Sequence, residues 1–198
     1  MKRAVFAPAT VSASIALLAG PVLAHTGAGA ASGMATGFGH PIGGLDHVLA
    51  MVAVGILAAQ LGSRAIWLVP AAFVAAMAAG GLLGVAGAAL PFVEQGIAGS
   101  VVILGFVIAL GWRMPTTAAM AMAGALAIFH GYAHVAEMPV DASGLAYGAG
   151  FALATALLHA AGVGFGVGAR KIAAQLAPVA VRLAGGAIAA TGIMLAAG

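Results

Sequence analysis

The sequence has no cysteine and very little charge. Without cysteine there can be neither a disulfide nor a thiolate metal site, so any soft-metal chemistry falls to histidine, methionine and carboxylate. Charged residues make up 6% of the chain and apolar residues 64%, against roughly a quarter and a half in a soluble domain. That balance excludes an ordinary soluble protein and identifies an integral membrane protein. Seven Lys and Arg against four Asp and Glu give a basic excess that gathers into neither a stripe nor a patch, so nucleic acid is not the partner. No hydrophilic segment is long enough to fold separately and no internal repeat is convincing, which leaves one domain.

What is present is organised by hydropathy. Residues 1–24 have the layout of a secretory signal: Lys2 and Arg3, an apolar stretch through Ile15, Leu17 and Leu18, and Gly20-Pro21-Val22-Leu23-Ala24 with small residues where a signal peptidase reads. The alternative, a retained first span, is opposed by Pro8, Gly20 and Pro21, which leave less than the roughly 20 apolar residues required. Cleavage after Ala24 would start the mature domain, residues 25–198, at His25. A small-residue leader from 26 to 39 precedes six hydrophobic stretches of spanning length, at 44–61, 65–86, 95–112, 116–135, 142–167 and 176–197. The expected fold is therefore an all-α membrane protein, a compact bundle of six transmembrane helices after a cleavable signal peptide.

The few charges test this count. Arg64, Arg113 and the Arg170-Lys171 pair fall in the loops after spans one, three and five, whereas Glu94, Glu137 and Asp141 fall in the alternate loops. Basic loops face the cytoplasm, which puts the mature N-terminus, the acidic loops and the C-terminus on the periplasmic side. Arg182, near the cytoplasmic start of span six, can snorkel outward. Small residues four apart, at Gly80 and Gly84, Gly144 and Gly148, Gly162 and Gly166, and Gly164 and Gly168, predict close helix packing.

Against this apolar background two stretches carry the chemistry: His40-Pro41-Ile42-Gly43-Gly44-Leu45-Asp46-His47 with Met51 one turn on, and His130-Gly131-Tyr132-Ala133-His134 with Glu137. Imidazole and carboxylate are costly within a membrane, so their clustering argues for a site. His130 and His134, four apart, share a helix face, and two imidazoles so placed can reach one metal ion. Pro41 and the Gly43-Gly44 pair suit a tight, non-helical approach that brings His40 back over the helix start. Nickel, zinc, copper and cobalt all accept such a donor set. The alternative is that the histidines only hydrogen-bond between helices, but two motifs at one depth favour metal.

Span five adds the row Ser143, Tyr147, Phe151, Thr155 and His159, on one slowly drifting face. A path through the bundle needs polar groups this deep; the other reading has Thr155 bonding its own backbone and His159 a neighbour. His25 would pair a free amino group with its imidazole as a capture ligand, or lie there by chance. Met114, Met120 and Met122 read as packing rather than ligands, with Met51 open between the two.

The run His40-Pro41, Gly43, Asp46-His47 and Met51, followed by His130-Gly131, His134 and Glu137, resembles the HupE/UreJ family of nickel permeases associated with hydrogenase and urease maturation. The resemblance covers nearly the whole chain. It implies a bacterial cytoplasmic-membrane protein, not an enzyme, that moves Ni2+ inward for nickel-enzyme maturation proteins. It implies metal-handling roles for His40, Asp46 and His47, with His130, His134 and Glu137 as their counterpart. Co2+, Cu2+ or Zn2+ as cargo remains the alternative within transport. Outside it stands a membrane metalloenzyme whose His130, His134 and Glu137 hold a metal that activates water, with Asp46 as general base and the metal as its only cofactor.

Overall fold

A computed structural model describes residues 29–136, 138 and 143–197. These form seven helices and, among the described residues, no strand: α1 (Gly29–Gly43), α2 (Leu45–Leu61), α3 (Ala65–Val85), α4 (Val93–Ala109), α5 (Thr116–Ala136), α6 (Gly144–Ile172) and α7 (Ala177–Ala197). By length and apolarity α3, α5, α6 and α7 can each cross a membrane, α4 is a shorter apolar helix, and α1 and α2 form one pair bent by 83°. The chain is a multi-pass membrane protein. The expected signal peptide, with His25 behind it, lies outside the described residues.

The helices α2 to α7 follow the six apolar stretches with ends shifted by up to five residues. The segment before them differs from expectation. Residues 29–43 are helical, with Pro41 inside the last turn, so the predicted leader and non-helical approach are corrected. Pro41 removes a backbone donor and crowds the carbonyl four residues back, and the helix ends two residues beyond it. Gly44 alone breaks the chain, in an extended conformation at φ −101° and ψ 121°. At the other end α2 stops on Gly62, and α4 likewise on Gly111, each in the left-handed region (φ 71° and 64°) that suits a terminating glycine.

Helix α2 is the axis of the bundle and touches each of the other six helices. Its length from Ala50 to Ala59 is buried almost throughout, while large apolar side chains such as Trp67, Leu82, Leu157, Leu183 and Met194 point outward. That inversion of a soluble surface is what lipid requires. Helix α3 pairs with α5, α4 with α7, and both α1 and α2 with α6.

Backbone contact sets the tightest pairings. A Cβ on Gly55 would meet the His159 carbonyl, and one on Gly162 the Val52 carbonyl, so α2 and α6 touch through bare backbone. Gly80 packs the same way on the Ile128 backbone, whereas Gly84 faces the Val135 side chain. The Gly164–Gly168 pair, predicted to pack likewise, has nothing within 4 Å of either Cβ position, nor has Gly148. Two residues further on from Gly162 and Gly166 is a rotation of about 200°, which turns the pair to the opposite face. Met114, Met120 and Met122 pack against the core.

Candidate metal site

The bend at Gly44 folds the end of α1 back over the start of α2 and brings two histidines of the first motif to two of the second. Ring centroids of His47 and His130 are 4.9 Å apart, those of His47 and His134 4.6 Å, and those of His40 and His134 4.9 Å. Three helices thus place four imidazoles in one connected cluster, with His47 and His134 at its centre. His47, His130 and His134 are buried. Among the described residues no three His, Asp or Glu side chains already stand as a formed metal site; the rings rest on one another, and an ion entering between them must part them.

Two hydrogen bonds decide which nitrogens can bind. His47 Nδ1 lies 2.7 Å from Asp46 Oδ1, and the His47 backbone N–H donates to the same oxygen at 2.7 Å. A carboxylate only accepts, so the ring proton sits on Nδ1 and Nε2 carries a lone pair. His130 Nε2 lies 2.8 Å from Ser100 Oγ, whose hydroxyl donates to the Ile97 carbonyl at 2.6 Å. With its one proton spent there, Ser100 accepts from His130 Nε2–H, which leaves the lone pair on Nδ1. Both of these lone-pair nitrogens, and both ring nitrogens of His134, are buried without a hydrogen-bond partner among the described residues. Leaving a buried polar atom unpaired costs about 1–3 kcal/mol, and a site for a Lewis acid accounts for several at once.

A cleft of about 720 Å³ leads to this cluster, lined among others by Thr36, His40, Asp46, His47 and Glu94. Two residues, Glu94 in the cleft and Ser100 beside His130, were not singled out as site residues from the sequence. Glu94 read only as a loop charge, although a carboxylate in the loop facing the motifs was a usable signal. Ser100, fully buried, was passed over as one small residue in an apolar span, where a lone hydroxyl is itself a signal.

The row on α6 behaves as one face. Tyr147, Phe151, Thr155 and His159 are all buried, whereas Ser143 precedes the helix, exposed and without a side-chain capping bond. Phe151 packs on His134 with centroids 3.8 Å apart and the rings tilted by 43°, and the Tyr147 ring lies 6.0 Å from that of His40. His159 lies apart from the four clustered rings, alongside Gly55 of α2, about two turns below His47. Between the two levels sits Phe73, fully buried, its ring 5.7 Å from His130 and 5.2 Å from His159. Both nitrogens of His159 lack partners among the described residues, and Thr155 Oγ1 reaches Met77 Sδ at 3.9 Å. Met51 is fully buried in the apolar core. Glu137 and His25 lie outside the described residues. On the side toward α3, an apolar groove of about 560 Å³ opens laterally and reaches His134, Tyr147 and Phe151.

Comparison with known proteins bears on the whole chain. Residues 13–195 match the family described as HupE / UreJ protein. Protein HupE of Rhizobium leguminosarum bv. viciae is 44% identical over 189 residues, spanning 95% of this chain and 97% of that protein. No solved structure matches.

Proposed function

Because the chain belongs to the HupE/UreJ family, we propose that it carries divalent transition-metal ions, Ni2+ first among them, inward across the bacterial cytoplasmic membrane to supply hydrogenase or urease maturation proteins. The observation that carries the reading is the gathering of His40, His47, His130 and His134 at one end of the bundle, with unpartnered nitrogens among the described residues on His47, His130 and His134 and on a further imidazole, His159, deeper in the bundle. A purely structural cluster would satisfy those nitrogens.

Six membrane spans, with the α1–α2 pair counted as one and the cluster end periplasmic, fit the charge distribution. A hydrated ion enters the cleft, where Glu94 and Asp46 attract it. The imidazoles of His40, His47, His130 and His134 then replace its waters, with Glu137 as a further oxygen donor. Asp46 and Ser100 hold two of the rings in the tautomers that can bind. Passage to His159 and Thr155 requires the Phe73 ring to move aside, so the aromatic acts as a barrier that a bound ion, not bulk water, crosses. A negative-inside potential contributes about 2.3 kcal/mol per charge per 100 mV, and a divalent ion gains about twice that. Facilitated diffusion is energetically sufficient, and the metal is cargo rather than a catalytic cofactor.

The lateral groove reaching His134 is the one feature that suits the second reading, a membrane metalloenzyme taking its substrate from lipid. Against it, Asp46 Oδ1 already accepts two bonds from His47 and is a poor general base, and hydrolysis at the cluster gives no role to His159. The test is accumulation of radioactive nickel by cells lacking their own nickel importers, with cobalt, copper and zinc as competitors. Uptake abolished by His47→Ala and by His134→Ala at equal membrane expression supports transport, and the competitor ranking names the cargo. Absence of uptake from a protein that binds metal tightly turns the assignment to the enzyme.

A further inference from the structure

The end of the bundle opposite the histidine cluster holds a second polar cavity. It measures about 370 Å³ and is lined by Arg113 from the α4–α5 loop, Arg170 near the end of α6, Arg182 of α7, and Gln60 at the end of α2. The described part of the chain has five Lys and Arg, namely Arg64, Arg113, Arg170, Lys171 and Arg182, so most of its positive charge converges on this one pocket. Among the described residues no carboxylate lines it; Asp46 and Glu94 both lie in the cleft at the other end.

All three arginines are exposed at the mouth of the pocket, and two of them are anchored to neighbouring backbone. Arg170 donates to the Ala59 carbonyl at the end of α2. The Arg182 guanidinium lies so close over Gly111 that a Cβ there would stand 2.8 Å from its Nε. Gln60 Oε1 is buried without a partner among the described residues, and rotation of the amide puts an N–H2 donor at the same point. Ala177 and Pro178 also line the pocket, and they open α7, whose positive helix end adds to the field. Cations that line one cavity with no carboxylate among its lining residues repel one another, whereas three guanidiniums and an amide around a small cavity match a tetrahedral oxyanion.

We propose that this pocket binds a phosphate group, the headgroup phosphate of an anionic phospholipid or a free phosphate. The surroundings favour the lipid source: Trp112, Leu110, Ile172, Leu176, Val179 and Leu183 stand exposed on the elements that form the pocket and offer an apolar skirt for acyl chains. Both tryptophans of the chain, Trp67 and Trp112, adjoin the basic loops in sequence, as expected where a membrane meets water, and basic pockets between helices at that level recognise anionic headgroups.

The test uses the full-length protein in mild detergent. Native mass spectrometry measures binding of phosphatidylglycerol and phosphatidylcholine of matched chains, and thermal melting measures the effect of inorganic phosphate against chloride at equal ionic strength. The lipid source predicts that phosphatidylglycerol is preferred, that inorganic phosphate displaces it, and that Arg113→Gln or Arg182→Gln each weakens it by about tenfold or more. Arg64→Gln, at the same end but outside the pocket, should leave binding unchanged. A melting shift by phosphate that the Arg113→Gln/Arg182→Gln double variant loses, without lipid preference, supports the free anion as source. The proposal is overturned if Arg64→Gln weakens binding as much as the pocket variants do, or if neither phosphatidylglycerol nor phosphate distinguishes the native protein from the double variant.

Discussion

Ser100→Ala removes a single oxygen from the core and should act on metal binding far more than on the fold. In the native protein the hydroxyl accepts from His130 Nε2–H at 2.8 Å, and this bond holds the lone pair on Nδ1. Without it the Nε2–H tautomer carries a buried, unpaired donor and loses about 1–3 kcal/mol. The competing tautomer, with its proton on Nδ1, suffers no such loss, so the equilibrium moves toward it by about 5- to 150-fold. That proton then occupies the nitrogen through which a metal would be bound, and affinity should fall by about 10- to 100-fold, the usual range for loss of an orienting partner. Calorimetric titration of the purified protein with Ni2+ reads the affinity, and 15N chemical shifts of selectively labelled histidine read the tautomer. Native affinity together with an unchanged His130 tautomer would refute the reasoning. Lost affinity without a change of tautomer would show that Ser100 matters only for packing.

Phe73→Leu shortens the barrier between His130 and His159, and metal flux should rise while discrimination among divalent ions declines, as competition in an uptake assay would record; unchanged flux and selectivity would mean that ions pass elsewhere. His159→Ala should leave equilibrium binding at the outer cluster within about twofold, since the Phe73 ring stands between His159 and His130, yet reduce uptake severely. His134→Ala should abolish both, a split that titration and transport measured side by side would expose. Gly55→Ala drives a methyl into the His159 carbonyl, and overpacking of about 1–3 kcal/mol should lower the melting temperature clearly, whereas Gly99→Ala, inside α4 with nothing within 4 Å, should melt at or slightly above the native temperature.

The long helices and their alternation were legible because lipid imposes two independent codes, apolar length and loop charge, and Arg64, Arg113 and Arg170 agree with the hydropathy at every turn. Helix α1 was not legible. Its five glycines and a proline near the end lower its propensity, and it has no apolar length; it is helical through packing on α6, where Gly37 and Gly150 let the backbones touch. At the candidate site, the histidine motifs stood out because polar residues in lipid are rare. Ser100 and Phe73 did not, because their roles depend on partners on other helices: a hydroxyl is defined by the imidazole it meets, and a phenylalanine between two histidines has the same composition as one in any core. The spacing of the glycines was legible only in part, since Gly162–Gly166 and Gly164–Gly168 share a pattern and differ solely in which way the helix is turned.

The most direct test of the central claim places the purified protein in liposomes with a metal-sensitive fluorophore inside and a negative-inside potassium diffusion potential. The account predicts Ni2+ entry that rises with the potential and is lost in both His47→Ala and His134→Ala. Entry no faster than in protein-free liposomes, from a native protein that still binds Ni2+ tightly, would contradict it.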